Sequence, residues 1–425
     1  MREIEVTGTY SNTGHIIAEL HKHLLKKIEE KVIESIRVED EKIKRFEKHL
    51  EKFPFLIEEI SNYCKGADIS FKNLLKLKLG NYKIPEISCT SLFSSSEFYN
   101  EKAAIAMKIR DELPLPQYIC KKKNEDKIPY FFSGSIPGIG YSFFINEKGF
   151  LGINNTGSFL KDELTRDCGF DDCDILRAVA ESCDGVDEAI GFIKKLHIDR
   201  IVGYTGKKRG MIFLFSEREK ASLVELNSFE LNHKTITYKL GLTNDFLLPE
   251  SEQWIRSEET EGTKSSRFRK KRLDEIFDEN EKLSLWKLIW ISRDKKYYPY
   301  SICRDTSLMP VRTVSVFISI LHASPVLWIC LGQPYTSPFF PFLVRGTKIL
   351  DKFVSGEISI KLNKIFEKKC MNDDGFLRKL KSFEKKLSEK FEKIQDIDEK
   401  NIDIQKDVYK FIMEVGNEDL YNSGP

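Results

Sequence analysis

Apolar and polar positions divide this chain into alternating helical and extended stretches. Residues 3–7 alternate as a short strand, and Gly8 and Gly14 are expected to bracket a turn. From about His15 to Leu50, Ile16, Ile17, Leu20, Leu24, Leu25, Ile28, Val32 and Ile33 recur at three-to-four spacing among Lys and Glu, which predicts helix. A second helical block spans Phe53 to Leu79, interrupted near Gly66. The texture changes at Ile87, where Cys89–Phe93 and Ala103–Met107 predict two strands around a polar turn. Strand pattern then dominates to about Asn155, through Tyr130-Phe131-Phe132 and Tyr141–Ile145. Helix is predicted over 172–197, strands over 211–216, 221–226 and 234–239, and helices again over about 266–277 and 283–291. Strands at 313–320 and 326–331 precede a Lys/Glu-rich helical tail that begins near 360 and has no Pro before the last residue. This order is that of an α+β protein with helices packed outside stacked antiparallel sheets.

Composition narrows the class. A chain of 425 residues, 41% hydrophobic and 32% charged, is long enough to bury a large core. Lys+Arg 68 against Asp+Glu 66 leaves a net charge of +2, which argues against a nucleic-acid protein defined by excess positive charge. Charged faces such as Lys26-Lys27 read as solvated surface. No run reaches the roughly 18–20 apolar residues that span a bilayer. The most apolar region, Val314 to Cys330, is broken by Ser, His and Pro and reads as buried strands. Met1-Arg2-Glu3-Ile4-Glu5 carries no targeting pattern, so a soluble, cytoplasmic protein is expected.

The nine cysteines are odd in number and scattered, which suits reduced thiols. None forms a C-x-x-C. Cys168 and Cys173 lie in an acidic loop without a second pair, too few ligands for zinc. The seven histidines make no H-E-x-x-H, and His15, His21 and His23, on a charged helix, are expected to face solvent.

Acyl transfer from an amide needs a nucleophile, a proton shuttle and a donor for the oxyanion. A papain-like reading of Cys89 lacks the flanking C-G-S-C-W pattern, and no histidine has an evident orienting partner. The other chemistry makes Cys89 a chain start. Its α-amine, with a pKa of about 7.7–8.0, then accepts the proton of its own thiol, whose free pKa is about 8.5. On residue chemistry alone, a buried strand thiol is the simpler account of Cys89.

The local sequence weighs the other way. Cys89-Thr90-Ser91, a polar turn and an apolar strand closed by Lys108-Ile109-Arg110-Asp111 resemble the isopenicillin N acyltransferase-like family, within the choloylglycine-hydrolase group of N-terminal-nucleophile enzymes. In that family the mature chain begins C-T-S or C-T-T and the next strand ends in R-N-x-D. Asp111 falls on the family's Asp, which orients the nucleophilic Cys and its amine. Lys108 replaces Arg and Ile109 replaces Asn. Arg110 supplies the missing guanidinium if the register slips by two residues, which keeps the side chain on the same face.

Further stretches match in the same order. Ile4–Gly8 through Gly14 and a long helix resemble the opening of the pro-segment. Gly138-Ile139-Gly140 through Asn146-Glu147-Lys148-Gly149 resembles the family's G-x-G…N-E-x-G strand and turn, with Asn146 read as a turn residue. Leu242-Thr243-Asn244-Asp245-Phe246 resembles the T-N-H-F segment. Its Asn contributes to the oxyanion hole, a role Asn244 inherits, while Asp245 stands where His is common. Ser265-Ser266-Arg267 through Arg272-Leu273 resembles the S-x-x-R-x-x-R-L helix. Ser301-Ile302-Cys303-Arg304 and Thr313 through Gly332-Gln333-Pro334 resemble the closing C-R-H and G-x-P stretches, with Cys303 read as packing. The resemblance runs from about residue 3 to 340. On the residues alone, Asp111 also reads as an ion-pair partner of Arg110 or Lys108, and Asn244 as a turn residue.

The resemblance implies an αββα sandwich made as a precursor. Cleavage between Ser88 and Cys89 would divide a helical pro-segment, 1–88, from a core, 89–345, with the small chain staying packed on the large one. Residues 346–425 form a helical extension beyond the resemblance. The implied catalytic set is Cys89, Lys108, Arg110, Asp111 and Asn244, and the implied substrate a small-molecule amide or acyl thioester. No cofactor is implied, acyl-coenzyme A is a candidate acyl donor, and a homo-oligomer is left open. Ser88 stands where the family commonly has Gly. That departure and the K-I-R-D run keep a second class open, a catalytically degenerate member serving as a binding or structural module.

Overall fold

The chain opens with β1 (Glu3–Ile4) and β2 (Val6–Gly8), then helices α1 (Tyr10–Val32), α2 (Asp40–Leu50), α3 (Pro54–Ala67) and α4 (Phe71–Leu79). Next come β3 (Ser88–Ser94), β4 (Ala104–Glu112), β5 (Gln117–Asn124), β6 (Tyr130–Ser135), β7 (Phe143–Asn146) and β8 (Leu151–Phe159), followed by α5 (Asp172–Ser182) and α6 (Val186–Ile198). Strands β9 (Arg209–Ser216), β10 (Ala221–Leu226), β11 (Leu231–Ile236) and β12 (Leu240–Leu242) lead to α7 (Glu261–Glu279) and α8 (Leu285–Ile291). Strands β13 (Arg312–Leu321), β14 (Val326–Cys330), β15 (Phe340–Leu343) and β16 (Ile349–Leu350) precede α9 (Asp351–Val354), α10 (Glu357–Lys368), α11 (Asp374–Lys393) and α12 (Ile397–Tyr421). This computed structural model describes residues 1–80, 88–99, 103–124, 127–204, 208–279, 282–306, 310–346, 348–368 and 373–421. Ile87, where the strand texture was expected to start, and Cys370 lie outside them.

Two sheets stack face to face. One has eight strands in the order β11-β10-β9-β8-β7-β6-β5-β2; the other has six, β12-β3-β4-β13-β14-β15. Pairing is antiparallel throughout except for β2 against β5. Strand alternation builds two cores from one sheet. Phe93, Ala106, Phe317 and Ile329 point between the sheets, where Phe317 stacks on Phe143 at 4.8 Å. Leu92, Met107, Ile109 and Ile318 point outward against Leu273, Ile276 and Leu288 of α7 and α8. Helices α5 and α6 cover the outer face of the eight-stranded sheet. The result is the αββα sandwich of N-terminal-nucleophile hydrolases.

The first helix departs from expectation at its start. The Thr9 hydroxyl caps it by accepting from Asn12 N, so Gly14 lies inside α1 rather than at a turn. The glycine serves close packing: a Cβ there would fall 2.3 Å from the Glu59 carbonyl oxygen of α3. The helical pattern predicted through Leu50 is also broken, by a 3-10 turn at Ile33–Ser35 before α2 begins. His21 is buried, not solvent-facing. Its Nε2 lies 2.9 Å from the Val354 carbonyl, which can only accept, so Nδ1 accepts from the Tyr63 hydroxyl at 2.8 Å. Burial holds this ring neutral by drawing its pKa down to about 4.

The C-terminal helices are fastened by buried polar side chains. Asn401 accepts from Leu343 N and donates to the Leu343 and Arg345 carbonyls, which covers β15 at the edge of the six-stranded sheet. Gln405 accepts from Leu350 N and Glu384 from Phe339 N. Among the described residues, no helix is long and apolar enough to cross a membrane.

Candidate active site

Strand register assembles the site. Across β3 and β4, Ser88 pairs with Asp111, Cys89 with Arg110 and Ser91 with Lys108. Cys89 and Arg110 therefore share the inter-sheet face, and Arg110 stands directly opposite the cysteine. Arg110 bonds Gln117 at 3.0 Å and Ser135 at 3.3 Å, and pairs with Glu112 at 2.7 Å. Burial lowers its pKa, but Glu112 together with Cys173, Cys89 and Asp172 more than offsets that, and the guanidinium stays charged. Lys108, two pairs further along on the same face, donates to the Asn154 carbonyl and, at 2.9 Å, to Asn155 Oδ1. Asn155 also accepts from Ser91 at 2.7 Å and donates to the Thr243 carbonyl at 2.8 Å, so one amide joins β3, β4 and the loop after β12.

Asp111 lies on the other face, toward α7, away from Arg110 and Lys108. It accepts from Thr313 Oγ1 at 2.7 Å and from Ser88 Oγ at 3.4 Å, and Arg304 donates to the same Ser88 hydroxyl. The side chain preceding Cys89 is thus held by an aspartate and an arginine.

Asn244 reaches the cysteine from the loop after β12. Its Oδ1 accepts from Cys89 N at 3.1 Å and from Arg269 Nη2 at 2.8 Å, while Nδ2 donates to the Thr156 carbonyl at 2.7 Å. Donors on the oxygen and an acceptor on the nitrogen determine which way the amide points. The loop is itself pinned, with Asn244 N donating to Ser266 Oγ at 2.9 Å and Phe246 N to Ser158 Oγ at 3.1 Å. Leu247 N and Leu248 N donate to Glu225, a carboxylate that burial raises to about 7.

Arg269 and Arg304 did not figure in the sequence-derived set. Arg269, fully buried on α7, donates to the Cys89 carbonyl, to Thr90 Oγ1 at 2.8 Å and to Asn244 Oδ1. Burial brings its pKa down to about 10, with Asp111 opposing, so it remains a cation at neutral pH. Its signal was in the helix motif, because Ser266, Arg269 and Leu273 fall on one face at i, i+3 and i+7. Arg304 ends the Ser301–Arg304 run, where its position relative to Ser88 was invisible. Lys108, Arg110, Arg269 and Arg304 are thus bonded to or paired with Ser88, Cys89 and Ser91, with Asp111 and Asp245 acting on Arg269 and Glu112 and Asp172 on Arg110.

Other thiols are held protonated. Burial, reinforced by Asp172 and Asp171, pushes Cys173 well up, and burial does the same for Cys303, whose sulfur accepts from Gln333 Nε2 at 2.9 Å. Cys168 and Cys173 form no pair: Cys168 faces the Lys42 carbonyl at 3.6 Å, whereas Cys173 accepts from Asn154 Nδ2 at 3.4 Å. Asp171 caps α5 through Cys173 N and Asp174 N and pairs with Lys78, which accounts for the acidic run beside them. Asn146 accepts from Lys148 N and Phe150 N, in a turn away from Cys89.

The stacked sheets between helical layers have the N-terminal-nucleophile fold. The chain belongs to the family described as acyl-coenzyme A:6-aminopenicillanic acid acyl-transferase, whose profile matches residues 118–336, slightly more than half of it. No curated protein sequence matches the chain. Among solved structures it is similar to a mutant of conjugated bile acid hydrolase from Clostridium perfringens, at 13% identity, covering 60% of this chain and 92% of that one with a TM-score of 0.38. It is also similar to the Caenorhabditis elegans ortholog of N-acylethanolamine-hydrolyzing acid amidase, at 11% identity, covering 55% and 92% with a TM-score of 0.37.

Proposed function

We propose that this chain is a cysteine N-terminal-nucleophile enzyme that cleaves or forms amide bonds through an acyl-enzyme on Cys89, after cutting its own Ser88–Cys89 bond. One observation carries the reading: the Cys89 nitrogen is bonded to Asn244 Oδ1 while Arg269 holds the Cys89 carbonyl and the same Asn244 oxygen. A nitrogen destined to become an α-amine is already oriented before it is freed.

Cleavage begins with addition of the Cys89 thiol to the Ser88 carbonyl. The adduct expels the Cys89 nitrogen and leaves a thioester between the Ser88 acyl group and Sγ. Water hydrolyses that thioester, giving a Ser88 carboxylate and a Cys89 with free amine and thiol. Ser88 is 2% and Cys89 5% exposed, so an external protease does not reach this bond, which favours attack from within. Asp111, beside Ser88, then faces the new amine.

In the mature site the amine takes the thiol proton and Sγ adds to an amide or thioester carbonyl. Backbone N–H groups and the Asn244 amide N–H not used by Thr156 receive the oxyanion. The amine returns its proton to the leaving group, and water or a second amine resolves the thioester. The chemistry calls for no metal or organic cofactor, and acyl-coenzyme A is a candidate acyl donor.

The small chain, 1–88, would stay bound. Strand β2 extends the eight-stranded sheet, β1 pairs with β16, and Glu59 of α3 is buried between Lys122 and Arg177. The test is the intact mass of the purified protein, before and after incubation with panels of amides and thioesters. Fragments parting before Cys89 and an acyl adduct on Cys89 are expected, and Cys89→Ala stays whole. A chain that remains continuous and takes up no acyl group overturns the proposal.

A further inference from the structure

The helices beyond the segment that the family shares are wired to the nucleophile. Glu384, fully buried on α11, binds both terminal nitrogens of Arg293, at 2.5 and 3.1 Å, and accepts from Phe339 N at 2.8 Å. Arg293 also donates through Nε to the Pro334 carbonyl at 2.8 Å. The next residue, Asp294, receives Arg272 Nε at 3.0 Å and Nη2 at 2.9 Å, and its carbonyl accepts from Cys303 N at 3.0 Å.

Two short routes lead from that junction to the bond before Cys89. Arg272 lies one turn beyond Arg269 on α7, and Arg269 holds the Cys89 carbonyl and Asn244. Cys303 precedes Arg304, which binds the Ser88 hydroxyl and is tied to Thr313 through its backbone. The routes reach opposite sides of the Ser88–Cys89 bond, one at each residue.

We infer that Glu384 is a positioning residue for the Cys89 site, setting Arg269 and Arg304 through the Arg293-Asp294 junction. The C-terminal helices then form part of the catalytic apparatus in cis. This inference rests on the reaction proposed above. An isolated buried arginine cannot shed its charge, so a neutral residue at 384 leaves Arg293 to find another partner and shifts the junction with it.

The experiment compares Glu384→Gln and the milder Glu384→Asp with Leu387→Ala, which removes buried packing one turn along α11 and leaves the carboxylate in place. Thermal midpoints, the single-turnover rate of Cys89 acylation at a temperature where every variant is folded, and hydrogen exchange over 88–94 and 300–306 are measured. Glu384→Gln is expected to slow acylation tenfold or more and to speed exchange in both segments, with Glu384→Asp intermediate. Leu387→Ala is expected to lower the midpoint while keeping the wild-type rate and exchange. Equal rates and equal exchange in Glu384→Gln and wild type overturn the inference, as does an equal loss in Leu387→Ala. A wild-type protein that never acylates sinks the proposed reaction instead, and the exchange comparison then still decides the wiring.

Discussion

The backbone nitrogen of Cys89 donates to Oδ1 of Asn244 at 3.1 Å across 155 residues of sequence. That bond joins a strand of the six-stranded sheet to the loop after β12 and places an amide oxygen against the proposed general base. Asn244→Asp keeps an acceptor for Cys89 and Arg269 but replaces the N–H that Thr156 uses with a second acceptor. Self-cleavage and acylation are expected to fall by about 100-fold, read from the half-time of the intact-mass change. Cleavage at the wild-type rate would remove Asn244 from the mechanism.

Arg269 carries the second test. Arg269→Met fills similar volume without donors and leaves the Cys89 carbonyl and Asn244 Oδ1 short of a partner. Losing charged hydrogen bonds at a buried site costs about 2–3 kcal/mol, so a lower urea midpoint and a slower cut are expected together. Arg269→Lys restores the charge without the fork and is expected to recover stability more fully than rate.

Glu225 gives a pH signature. Its carboxyl is raised from 4.5 to about 7 by burial, against the N–H groups of Leu247 and Leu248 that favour the anion. A folded-state pKa above the unfolded one means that stability is greatest below about pH 4.5 and declines as pH rises through 7. Between pH 5 and 8 this single group removes on the order of 2–3 kcal/mol. Urea midpoints of wild type and Glu225→Gln at both pH values check it: the difference between the proteins should change over that interval. A constant difference contradicts the assignment.

Glu59 tests the hold between the two proposed chains. In Glu59→Gln, Arg177 and Lys122 lose a buried carboxylate, a change that costs about 3–5 kcal/mol. The processed variant is expected to release residues 1–88 at lower urea than wild type on size exclusion. Co-elution to the same urea concentration would place the attachment elsewhere.

Periodicity made much of the architecture legible. The two strands at Cys89 and Ala104, the helical stretch over 172–197, which the structure divides into α5 and α6, and the Lys/Glu tail follow from apolar spacing, because each element buries one face. Gly14 and His21 were misread for a shared reason. Close helix packing and a buried histidine with two partners look, along the chain, like a turn and an exposed polar residue.

The site divides in the same way. Cys89, Lys108, Arg110, Asp111 and Asn244 were candidates from residue type, order and a resemblance, and their part in catalysis is a proposal. The sequence by itself also determined that Lys108 and Arg110 share a face, because strand alternation has a period of two. Tertiary structure decided which of them stands opposite Cys89, for that depends on how β3 and β4 are registered. It alone set Arg269 against Cys89, Arg304 against Ser88 and Glu384 against Arg293, since a motif on one helix does not say which residue 91 to 216 positions away it will bond.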